Sequence, residues 1–230
     1  MAATARPALH HRRRFRPWSS GELQPRYATE PDWYDPAALL RTNWEHYATP
    51  DADAPPDPDE SAELAESLAP FTDGWPGTAS AAEQPGDPDR AARALARELL
   101  ANNAHLRIGL VPAATGAEAL TACGWTGPVN HEGDIAKVSA VLLDRERRYG
   151  TRLVQVGFAE LELSVGAPPQ DDEPALRIAA EHAAFCPDTS PRSRHDRRLR
   201  PRPGRCRPVV LLAGLSCLRF FRNVPFTRGD

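Results

Sequence analysis

The sequence predicts an α+β domain, small and layered, with irregular segments at both ends. Three observations predict it. Helical and alternating apolar patterns follow one another between residues 87 and 188 in the order α-β-α-α-β-β-α. Prolines, 24 in number, cluster outside that stretch and confine a core to it. The charge is also split: residues 1–191 hold 17 Lys/Arg against 29 Asp/Glu, whereas residues 192–230 hold 11 Arg against Asp196 and Asp230. Three parts follow: an irregular region over 1–86, the α+β domain over 87–188, and an Arg/Pro-rich tail over 189–230.

Within the first part, residues 35–47 predict a short helix. Asp35 stands as N-cap, Pro36 at the first turn, and Leu39, Leu40 and Trp44 share a face. Residues 50–60 are acidic and proline-rich and read as a linker, with a further weak helix after it.

The domain opens with Asp87 and Pro88 starting a helix over 88–103, where Ala91, Leu95, Leu99 and Leu100 recur at helical spacing. "HLRIGLVPA" (105–113) alternates, with Leu106, Ile108 and Leu110 on one face, and predicts a buried strand. Thr115 and Glu118 form a capping box for a short helix that ends at Gly124. "GWTGPVNHEGD" reads as a loop. Asp134 then caps a helix over 134–150 with Ile135, Val138, Val141, Leu142 and Tyr149 inward. Residues 151–169 predict two strands about a bend near Gly157, with Val154 and Val156, then Leu161, Leu163 and Val165, sharing faces. A final helix over 172–188 is stopped by Pro187, with Ala179 inward.

Several function classes lose support at this stage. No apolar stretch reaches the ~18 residues of a membrane helix, and no signal-peptide core follows the N-terminal arginines. The nucleotide- and acyl-transfer words GxGxxG, P-loop and GxSxG are absent. Cys123, Cys186, Cys206 and Cys217 form no CxxC pair and predict reduced thiols in a cytoplasmic protein. No metal site and no cofactor are expected. Lys137 is the single lysine among abundant Arg, Ala and Pro, which predicts a GC-rich bacterial gene.

The candidate site residues fall into two groups. Trp125, Gly127 and Asn130 lie in a loop, where a rigid scaffold can present binding groups. Glu181, His182, Cys186 and Asp188 lie at the end of the last helix. His182 and Cys186 are spaced i, i+4 and project from one face, so a thiol–imidazole or acid–base arrangement is chemically conceivable. The first reading is a binding module with a protein partner. An enzyme using Glu181, His182, Cys186 or Asp188 is the alternative, and nucleic-acid binding through the arginine tail is the second. The tail lacks aromatics among residues 191–208, which weighs against nucleic acid.

"LVPA", "GWTGPVN", "RYG", "VGFAELELSVGAPP" and "AAEHAAFCPD" occur in that order and resemble the bacterial domain of unknown function 4253 family. The resemblance covers about residues 106–188 and weakens toward residue 16. It implies no established reaction. It departs at Arg145, where the family often has Trp, so one packing contact is expected to differ. The resemblance also implies an ending with Tyr and Trp where this chain turns to arginine. GC-rich codons for residues 197–216, read one base later, give A-G-Y-A-R-A-L-V-G-A-A-R-W-S-F-W-L-D and a stop. A frameshifted C-terminus, beginning between Asp188 and Asp196, is therefore expected.

Overall fold

The computed structural model describes residues 30–48, 58–82, 86–128, 132–158, 160–186 and 218–221. After a 3₁₀ turn at Pro31–Trp33 come helices α1 (Pro36–Ala48), α2 (Pro58–Leu68), α3 (Pro88–Asn102), α4 (Gly116–Ala122) and α5 (Ile135–Tyr149). Strands β1 (Thr151–Val156) and β2 (Leu161–Val165), helix α6 (Asp172–Phe185) and strand β3 (Leu218–Phe221) complete it. The architecture is α+β.

The helix starts follow the capping chemistry. The Asp87 carboxylate accepts from the Asp89 and Arg90 amides, Thr115 Oγ1 from the Glu118 amide, and Asp134 from the Ala136 amide. Each satisfies donors that the first helical turn leaves without partners. Helix α5 ends at Gly150 with φ +59°, and its amide donates back to the Arg145 and Glu146 carbonyls. Only glycine takes that left-handed cap without a Cβ penalty.

The sheet order is β1-β2-β3, with β1 and β2 antiparallel and β2 and β3 parallel. Thr151 pairs with Val165 and Val156 with Leu161, and a bulge between Leu153 and Gln155 shifts the register. Strand β2 is central, and Leu161, Glu162, Leu163 and Ser164 are all buried. Both of its faces are therefore covered, and Leu161 and Leu163 join Ala117, Leu120, Trp125, Val138 and Leu142 in one core.

A second core joins Leu40 and Trp44 of α1 to Val141 of α5 and Ala180 and Ala184 of α6. The expected helix at 35–47 is thus present and packs through the two residues its spacing singled out. Trp44 also lies 5.6 Å from Trp75, ring centre to ring centre.

Four expectations need correction. Residues 105–113 form no strand: Ile108 is 80% and Leu110 97% exposed. Alternation states which side chains could share a buried face, but a strand needs a partner for its backbone, and the described residues supply none here. Leu100 is exposed, because the packed face of α3 centres on Leu95. Ala179 is exposed and Ala180 buried, so the inward face of α6 is turned by one residue. Val156 is half-buried. Val141 and Leu163 are buried as expected. Residues 50–57 and the arginine tail over 189–217 lie outside the described residues. Among the described residues no helix is long and apolar enough to cross a membrane.

Candidate functional site

Trp125 follows Gly124, whose φ of +66° turns the chain out of α4. Its indole is buried in the first core and its Nε1–H donates to the Gly157 carbonyl at 3.0 Å. The loop is thereby fastened to the turn between β1 and β2. Gly127 lies against the Trp125 ring so closely that an added Cβ would stand 2.1 Å from Cζ2. Glycine at 127 is therefore required by the tryptophan two residues earlier. Beside this joint Phe158 is 92% exposed. Asn130 lies outside the described residues.

The second candidate group sits at a different place and is closed. Glu181 is fully buried, and its carboxylate accepts four hydrogen bonds. Oε1 accepts from the Ala79 amide at 2.7 Å, Arg148 Nη1 at 2.8 Å and Tyr149 Oη at 3.2 Å. Oε2 accepts from Arg148 Nη2 at 2.7 Å. The Asp144 carboxylate holds the same guanidinium from the other side, at 2.7 Å from Nε. The guanidinium also bonds the Ala79 carbonyl at 3.0 Å and the Tyr149 hydroxyl. Burial and Glu181 push the Tyr149 phenol well above its ordinary range, so it stays a donor.

His182, the next residue, is 1% exposed, and burial first, then the Arg145 charge, holds its imidazole well below the usual range. It is neutral at physiological pH. Arg145 is also buried, with its guanidinium 5.1 Å from the centre of the Phe185 ring. A planar, weakly hydrated cation stacked on an aromatic ring can fill a site suited to a large flat side chain. That accounts for Arg145 at the position where the resemblance led us to expect tryptophan.

Cys186 is disulfide-bonded, which corrects the expectation of four reduced thiols; Cys123 is free. Disulfide pairing depends on distances across the fold, which spacing along the chain does not contain. Asp188 lies outside the described residues. The structure therefore keeps Glu181, His182 and Cys186 on one helix end and Trp125 and Gly127 at the β1–β2 turn. Among the described residues no three His, Cys, Asp or Glu side chains gather as a metal-binding group.

Sequence reasoning missed Arg148, Tyr149 and the backbone of Ala79 as the partners of Glu181. One signal was present: Arg148 and Tyr149 belong to the "RYG" word that carries part of the resemblance. Asp144 and Arg148 are also spaced i, i+4 on one helix.

Searches of curated proteins and of solved structures found no match to this chain. Residues 107–199 do match the model of a family described as a domain of unknown function (DUF4253), and this part of the chain resembles that family.

Proposed function

We propose that this chain is a binding module for a protein partner, with the loop at Trp125 and Gly127 and the neighbouring β1–β2 turn as its recognition surface. The observation that carries the reading is the Trp125 Nε1 bond to the Gly157 carbonyl at 3.0 Å beside an exposed Phe158. A large aromatic ring in water, on a turn tied to the core, is the kind of anchor that dominates protein interfaces. Cys186, Asp188 and Asn130 remain candidate contributors at their own positions.

Glu181 and His182 fit this reading as scaffold. A carboxylate with four donors has its lone-pair sites taken and little capacity left to accept a substrate proton. His182 offers no surface to a substrate. A reaction through these two side chains would first require the core to open.

The test places a photoreactive phenylalanine analogue at position 158 of the full chain, in cells of the source organism. A discrete adduct with one protein is expected on irradiation. The same probe at exposed Trp33 is the control. No adduct at 158, or the same set of adducts at both positions, overturns the reading.

A further inference from the structure

Seven large hydrophobic residues are strongly exposed among those described, and four of them fall within twelve positions: Leu100, Ile108, Leu110 and Val111. Scattered singly, such residues need no explanation; gathered in one segment they mark a surface that is covered in use. The backbone supports this. From Ile108 to Ala113 no described residue hydrogen-bonds the main-chain N–H or C=O groups. An alternating apolar segment with free backbone groups is an edge that pairs readily with another chain.

We propose that residues 106–110 pair antiparallel with the same residues of a second copy, about a two-fold axis at Ile108. The sequence of the segment selects both the occupant and the register. Centred on Ile108, Leu106 of each copy stands opposite Leu110 of the other, and Ile108 stands opposite itself. Three apolar pairs then share one face, which is the unit that stabilises a sheet. On the other face Arg107 stands opposite Gly109, so no like charges meet and the guanidinium stem has room.

The neighbouring registers are worse. Centred on Arg107, two guanidinium groups oppose each other and Leu110 meets Ala104. Centred on Gly109, Leu106 meets Pro112, which has no N–H to donate. An isologous contact of this kind closes at two copies. A single short strand pair buries less than a standard interface, so the dimer is concentration-dependent. This surface is separate from Phe158 and does not depend on the partner proposed there.

Sedimentation velocity of the full chain, from about 1 μM to about 1 mM, tests the proposal. A reversible monomer–dimer equilibrium is expected. Ile108→Lys should abolish it, since two ammonium groups would then face each other on the axis, and its far-ultraviolet circular dichroism should match the parent chain. Ile108→Cys should yield a disulfide-linked dimer beyond whatever the parent chain's own thiols form. Leu110→Cys should not, because the two introduced thiols would lie four residues, about 14 Å, apart along the pairing. A chain that stays monomeric, an Ile108→Lys variant that still dimerises, assemblies that grow past two, or equal cross-linking of Leu110→Cys would each overturn it.

Discussion

Arg148 and Glu181 meet through two parallel hydrogen bonds, Nη1 to Oε1 at 2.8 Å and Nη2 to Oε2 at 2.7 Å, and so fasten α5 to α6. The Ala79 amide and carbonyl both join the pair. The segment before α3 is therefore tied to the same joint. Breaking such a pair from one side strands a charge in the interior. Glu181→Leu should accordingly destabilise the chain by about 3–5 kcal/mol. Tyr149→Phe, which removes a neutral donor, should cost about 1 kcal/mol. Urea denaturation of the two variants checks the order. Equal losses would mean that the ion pair does not hold the joint.

Acid should weaken the fold through His182. Its folded imidazole titrates well below the ordinary value, because of burial and then the charge of Arg145. The unfolded chain therefore binds a proton at this residue near pH 6.5, while the folded chain does not. The sign follows: stability is full above about pH 6.5 and falls as the pH drops from there toward the folded value. His182→Gln should flatten that part of the pH profile, even if it lowers stability at neutral pH. Melting temperatures of both proteins between pH 4 and 8 provide the measurement.

Gly127→Ala should be costly where Gly133→Ala is not. A methyl at 127 meets Trp125 Cζ2, while one at 133 meets nothing within 4 Å. Displacing the indole endangers its bond to the Gly157 carbonyl. A loss of about 1–3 kcal/mol is expected at 127, and a change within about 0.5 kcal/mol at 133. Thermal unfolding of the two variants decides. A neutral Gly127→Ala would show that the loop is not held by the tryptophan.

The Cys123 thiol is half-buried, and burial holds its pKa above the ordinary thiol range. Iodoacetamide should therefore modify Cys123 slowly at pH 8 in the folded chain and rapidly in denaturant, since the thiolate is the reactive form. Mass spectrometry of the peptide carrying Cys123 reads both rates.

The shifted-frame reading of residues 197–216 makes a prediction at the level of the gene. Its codons, read one base later, should give Tyr, then Trp-Ser-Phe-Trp, then a stop. Nucleotide sequencing of that interval checks it. Codons that place neither Tyr nor Trp in the shifted frame would establish the arginines as the intended residues.

Local chemistry was legible in the sequence. Asp87, Thr115 and Asp134 start their helices because a short polar side chain can reach free amides one turn on, and that depends on nothing beyond the next few residues. Leu40, Trp44, Leu163 and Val141 are buried because spacing along one element reports which side chains share a face. Partners across the fold were not legible. Ile108 alternates as well as Leu163 does, yet Leu163 found neighbours on both sides of β2 and Ile108 found none. Glu181 looked equally suited to acid–base work and to an ion pair. Arg148, 33 positions earlier, decided between them by occupying both of its oxygens. Spacing along the chain carries one dimension of information, whereas strand pairing, charge pairing and disulfide pairing depend on distances that exist only once the elements have packed.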